Sequence, residues 1–224
     1  MHLLIFDIDG TLCDTNYIDE LCLVQSAQQV LNIQNISSDW STYKQSTDSG
    51  IILELIETTN LHSESDMYST VKKSFLELLE KYYYSNPEYF FPIPGAKNII
   101  PLLIKEGFAI GIATGCWLDS AMFKLEKVGI QINNIPICSA DNHIERVNII
   151  KQCITDCSLF YNKDTFSAIT YIGDGSWDLL AAKNLGIDFL GIAKGNRAIM
   201  LKELGAQHVF EEYSLLHEYL IQSI

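Results

Sequence analysis

From Phe108 onward, short apolar runs recur between stretches of helix length: Phe108–Ala113, Ile135–Cys138, Ala168–Ile172, Asp188–Ala193 and His208–Phe210. Strands alternating with helices predict βαβ units, and these close into a mainly parallel sheet with helices on both faces. One more run, His2–Phe6, opens the chain and stops abruptly at Asp7 in FDIDGTLCDT, as a buried strand does where it meets a polar loop. The predicted class is α/β, a doubly wound, mainly parallel sheet. In such sheets ligands gather at the carboxyl ends of the strands, so the chemistry is to be sought in those loops.

Between the first strand and the rest the period changes from strand to helix. Leu21, Val24 and Leu31, then Ile52, Leu55 and Ile56, then Met67, Val71, Phe75, Leu78 and Tyr82 fall at helical spacings. An all-helical insert over residues 16–91 follows, with residues 1–15 and 92–224 forming the α/β core. The segment SNPEYFFPIPG, with three prolines and a glycine, ends the helices, and hinges are expected near Thr15 to Tyr17 and Pro92 to Gly95. Pro101 is expected to kink the next helix or delay its start.

Composition narrows the partners. A formal charge of −13 and an isoelectric point near 4.7 argue against a grip on nucleic acid or on an anionic membrane. No run reaches the roughly 18 apolar residues of a membrane span, and MHLLIFDIDG has no leader pattern, so a cytoplasmic location is expected. Six cysteines without a CxxC pair read as reduced thiols. A small-molecule partner is expected, with monomer and homodimer both open.

Four predicted strand exits carry the reactive residue types. Asp7 and Asp9 are two apart, so extended backbone points both to one side, where two carboxylates are costly unless a cation or a proton is shared. Gly10, Thr11 and Asp14 follow, although a bare DxDG is also an ordinary turn. ATGCW places Thr114 and Gly115 before a helix starting near Leu118 or Asp119, offering a hydroxyl and free N–H groups to an anion, or simply a strand exit. GDGSWD supplies Asp174 and Asp178, which either face the same point or cap the next helix. Arg146, one of only two arginines, precedes a helix after the third predicted strand of the chain, Ile135–Cys138, as a fixed cation or as a surface partner of Glu145 or Asp141. Carboxylates of this kind suit a hard metal, most naturally Mg²⁺, and metal, cation and N–H groups together make a phosphate site.

In that order FDIDGTLCDT, ATG, a basic residue before a helix and GDGSWD resemble the four motifs of the haloacid dehalogenase superfamily of phosphohydrolases. FPIPGAKNIIPLL is similar to the return from a helical cap inserted after the first motif. The resemblance implies a Mg²⁺-dependent hydrolase of a small phosphorylated metabolite. Asp7 would be the nucleophile forming an aspartyl-phosphate, Asp9 the general acid and base, and Thr114 a hydrogen-bond donor to the phosphoryl group. Asp7, the Asp9 backbone carbonyl and Asp174 would hold the metal, with Asp178 a further ligand or its support. Thr11 and Gly115 would touch the substrate. The third motif commonly carries a lysine, so Lys151 rivals Arg146 for its cation and is carried as a substrate-binding candidate. A phosphomutase and a non-catalytic binding protein of the same fold are the alternatives.

Insert residues 15–92 carry 4 basic and 11 acidic side chains, which does not advertise a second phosphate site. Trp117 and Trp177 could wall the pocket, but aromatics at helix starts more often pack on the core. Cys116 reads as a buried, inert thiol.

Overall fold

In the computed structural model the described residues are 1–59, 64–132 and 134–222. The chain runs β1 (His2–Phe6), β2 (Cys13–Asp14), α1 (Asn16–Leu31), α2 (Asp48–Glu57), α3 (Glu64–Ser85) and β3 (Phe91–Pro92). It continues through α4 (Ala96–Lys105), β4 (Ala109–Ala113), α5 (Leu118–Val128), β5 (Ile137–Cys138), α6 (Arg146–Phe160) and β6 (Ala168–Gly173). The last elements are α7 (Ser176–Leu185), β7 (Asp188–Ile192), α8 (Gly195–Glu203), β8 (His208–Phe210) and α9 (Tyr213–Gln222).

Six strands form one parallel sheet in the order β5-β4-β1-β6-β7-β8. β1 is apolar on both faces because both are covered. Leu4 and Phe6 join the side packed by α4, α5 and α9, whereas Leu3 and Ile5 join the side packed by α6 and α7. The chain first builds β4 and β5 on one side of β1, then crosses to β6 on the other. The carboxyl end of β1 is therefore the point where strand order reverses, and a crevice opens there. Among the described residues no helix is long and apolar enough to cross a membrane. All six cysteines are free and buried.

The helices α1, α2 and α3 lie in sequence between β2 and β3, which pair antiparallel through Cys13 with Pro92 and Asp14 with Phe91. The two connections between core and insert are thus laced together, and the Ile93 N–H extends the lacing to the Leu12 carbonyl at 3.0 Å. Helical spacing found these helices, set the phase of α3 correctly at Val71 and Phe75, and placed α1 about one residue off at Leu21 and Val24 but correctly at Leu31. The buried stripe of α1 runs through Ile18, Cys22, Leu23 and Ala27, with Leu21 and Val24 half-buried, and that of α3 through Val71, Phe75 and Leu79. Pro101 sits inside α4, which nonetheless begins at Ala96, so the start is not delayed. Its pyrrolidine faces solvent.

Candidate active site

Asp7 leaves β1, Thr114 leaves β4 and Asp174 leaves β6, three neighbouring strands at the switch point. Register alone brings them together. A small cavity of ≈ 60 Å³ lies there, lined by Asp7, Asp9, Thr114, Gly115, Arg146 and Trp177 from the core. From the insert side come Asn16, Asp19, Leu23, Trp40, Asp48 and Ile51.

Arg146 is the first residue of α6, and its guanidinium is the hub. Its Nη1 lies 3.2 Å from Asp7 Oδ1 and 3.0 Å from Asp178 Oδ1, and its Nη2 donates to the Ser46 carbonyl at 3.1 Å. Gly115 makes room for it, since a Cβ there would stand 2.2 Å from Nη2. The Arg146 Nε is buried without a hydrogen-bond partner among the described residues. Lys151, by contrast, is exposed on α6 and does not line the cavity, so the structure does not bring it to the site. A fixed helix places two residues five apart on different faces, and here only the first faces the crevice. Thr11 is fully buried but does not line the cavity either; its carbonyl accepts from Tyr213 Oη, and its hydroxyl has no partner among the described residues.

Asp7, Asp174 and Asp178 are buried with carboxylate oxygens within 4.8 Å of one another. Gly10, at φ +73°, permits this closeness, because a Cβ would collide with the Asp174 carboxylate. Burial, with the charge of Asp178, raises Asp7 well above the usual carboxylate range, against the pull of Arg146. Burial likewise pushes Asp174 up to about 7, although Arg197 from α8 pairs with it. Burial raises Asp178 too, against Arg146 and the hydrogen bonds it accepts. The Asp178 Oδ2 accepts the N–H groups of Asp174 and Gly175, and its Oδ1 accepts from Tyr171 Oη. It therefore caps α7 and presents charge at once. Three oxygen donors whose negative charge the chain's own arginines leave incompletely matched are a donor set that fits a hard dication.

Asp9 belongs to a different group. Its carboxylate accepts from Thr15 Oγ1, from Cys116 Sγ and from Lys124 Nζ, the last at 2.5 Å. Burial alone would raise its pKa, but Lys124 and these hydrogen bonds outweigh burial and hold it below the ordinary value, so Asp9 rests as a carboxylate. Lys124 is 0 % exposed and also bonds Asp19 of α1 at 2.5 Å, which joins core to insert. Burial by itself would strip its proton, yet Asp19 and Asp9 overcome it and raise its pKa. Asp19 is pushed up to about 6, chiefly by burial.

Lys124, Asp19, Asp48 and Arg197 received no role from the sequence. The signal for Lys124 is present all the same: it shares the buried stripe of α5 with Ala121, Leu125 and Val128, where a lysine is out of place without partners. Cys116 is buried as expected, and burial raises its pKa, which keeps it a thiol, but it hydrogen-bonds Asp9 and lines the cavity. The indole of Trp117 reaches into the insert, donating to Ser49 and Tyr68 and packing edge-on against Phe75. Trp177 is half-buried and walls the cavity, contrary to the expectation that it packs on the core.

A family model described as haloacid dehalogenase-like hydrolase matches residues 4–192. The chain belongs to that family. Its fold is shared with a hydrolase from Pseudomonas syringae at 22% identity, covering 99% of each chain with a TM-score of 0.76. It is also shared with a protein described as a predicted phosphoglycolate phosphatase from Haemophilus somnus, at 19% identity over 97% of each chain and a TM-score of 0.65. A candidate β-phosphoglucomutase from Thermotoga maritima, at 16% identity, covers 100% of each chain with a TM-score of 0.62. Comparison with curated proteins finds no match. This haloacid dehalogenase-like hydrolase thus carries Asp7, Asp9, Asp174, Asp178, Thr114 and Arg146 around one strand-order reversal.

Proposed function

We propose that the protein is a Mg²⁺-dependent phosphomonoester hydrolase that works through an aspartyl-phosphate on Asp7, with the three-helix insert acting as its cap. The observation that carries this reading is the buried Nε–H of Arg146, without a partner among the described residues, on a guanidinium that pairs with Asp7 at a cavity shared with Thr114 and Gly115. A phosphoryl oxygen is the acceptor such a donor lacks, and the guanidinium matches phosphate geometry.

Asp7, the Asp9 backbone carbonyl and Asp174 would hold Mg²⁺, with Asp178 in reach as a further ligand or a support. The bound ion would offset phosphate charge and bring the raised carboxyls into their ionised form. Asp7 then attacks phosphorus through a carboxylate oxygen. Arg146 offsets the like-charge repulsion that this attack meets, and Thr114 donates to the phosphoryl group, so most of the catalysis is positioning and charge stabilisation. The resting carboxylate of Asp9 suits the second step, where it takes a proton from the water that cleaves the intermediate. In the first step Asp9 must instead carry a proton to the leaving oxygen, against the hold of Lys124. Esters whose leaving groups need no proton should accordingly be turned over fastest.

No lysine or arginine of the insert's described residues lines the cavity, so the insert offers nothing to a second phosphate of the kind a phosphomutase must bind. The insert closes on the core through Lys124 to Asp19, the Thr47 hydroxyl to the Ile144 carbonyl at 2.6 Å, and Asp48 to the Trp117 N–H at 3.0 Å. Closure of this kind keeps water from the intermediate until substrate is in place.

The test is hydrolysis of p-nitrophenyl phosphate by purified protein. Turnover should require Mg²⁺, stop with excess chelator and return on Mg²⁺ addition. Full activity in chelator, or none with Mg²⁺, contradicts the reading.

A further inference from the structure

The phosphomonoesterase reading leaves open what the phosphate is attached to, and the insert side of the cavity bears on that. Asp19, Trp40 and Asp48 face it there, between the apolar side chains of Leu23 and Ile51. The nearby lysines of the insert are engaged elsewhere: Lys44 pairs with Glu57 and Lys72 with Asp141.

Asp19 bonds its counter-charge, Lys124, whereas among the described residues no cation bonds Asp48, whose charge Lys124 offsets only from a distance. Asp48 as a residue is 6% exposed; its Oδ2 accepts the Trp117 N–H at 3.0 Å, and among the described residues no donor reaches Oδ1. A buried carboxylate without a cation is costly, and such a group keeps a proton or waits for a partner. Burial, with the charge of Asp19, accordingly holds Asp48 well above the usual carboxylate range. The half-buried indole of Trp40 adds an aromatic wall, and an aromatic face beside a carboxylate is the pairing that receives an organic cation.

Resting on that reading, we propose that the substrate is a small amino alcohol phosphate, whose positively charged nitrogen is recognised by Asp48 and Trp40. A leaving group with a hydroxyl in that place could donate to Asp48 but would leave its charge uncompensated. One with a carboxylate would meet Asp19 and Asp48 with no cation to receive it.

Three esters of equal length separate the possibilities: 2-aminoethyl phosphate, 2-hydroxyethyl phosphate and carboxymethyl phosphate, each with Mg²⁺, and p-nitrophenyl phosphate alongside. The amino ester should exceed the hydroxy ester in kcat/KM by at least about tenfold, with the carboxymethyl ester slowest. In Asp48→Asn, which keeps an acceptor for the Trp117 N–H, the amino-to-hydroxy ratio should fall at least about tenfold. Equal rates, or preference for the hydroxy or carboxymethyl ester while p-nitrophenyl phosphate is hydrolysed, overturns the substrate class alone. An unchanged ratio in folded Asp48→Asn overturns it too. Silence toward all four esters overturns the phosphatase reading beneath it. Should Asp48→Asn fail to fold, the order of the three esters on the unaltered protein decides.

Discussion

Two groups of buried carboxylates meet at this cavity, and they solve the same electrostatic problem in opposite ways. Asp7 and Asp174 come from the exits of adjacent strands and Asp178 from the first turn of the following helix, so the βα unit forces them together, and two arginines at the edge leave their pKa values raised. Asp9 and Asp19 come from the core and the insert, and a fully buried ammonium stands between them. The first group is a donor set that could hold a metal ion. The second carries its cation in the sequence, and there the carboxylates tie two parts of the fold together. Similar residue types thus stand in two settings, one with its negative charge left incompletely matched and one bridged by a buried lysine, and Asp9 of the second also carries the proposed acid–base step.

The comparison breaks most visibly at Asp7. Asp7→Asn should lower kcat by more than about a thousandfold, about 4 kcal/mol in barrier, because the amide is isosteric but cannot attack phosphorus. Its unfolding midpoint should hold or rise, since one buried charge has been removed. Retention of more than roughly a tenth of the activity would remove Asp7 from the reaction.

Lys124→Met should do the reverse and strike stability. Loss of one member of a buried ion pair costs roughly 3–5 kcal/mol, because the partners stay buried and uncompensated. Urea unfolding measures this directly. A cost below about 1 kcal/mol would mean that the Asp9 and Asp19 contacts are not a structural tie.

Arg146→Ala should cut kcat/KM by roughly 2–4 kcal/mol, the scale for losing one preorganised charge-stabilising group, while Lys151→Ala should be nearly silent. Steady-state kinetics on p-nitrophenyl phosphate compares the two. The opposite result would return the third-motif role to Lys151.

The last expected effect is a pH dependence. Asp174 titrates near 7 when folded and near the ordinary carboxylate value of about 3.9 when unfolded. The native state therefore binds the extra proton between those values, and the contribution of Asp174 to stability, complete below about pH 4, is lost as pH rises through about 7. In metal-free protein, Asp174→Asn should remove that part of the decline. Mg²⁺ should stabilise the unaltered protein most above pH 7, where the carboxylate is free to bind it. Parallel stability–pH curves for the two metal-free proteins would contradict the raised value.

The sequence by itself determined the α/β class, the helical insert and the strand-exit residues. An apolar run ending in DIDG, or in GDG before a helix, is a local pattern, and parallel strands then collect their exits on one edge whatever the details of packing. Tertiary structure alone decided the rest. Lys124 meets residues 115 and 105 positions away, and no local pattern encodes which helix faces will be brought together at such separations. The same holds for Asp48, the first residue of α2, whose carboxylate accepts the Trp117 N–H just ahead of α5. A helix fixes the relative directions of its side chains through its period, but only its packing against the sheet decides which direction points at the site.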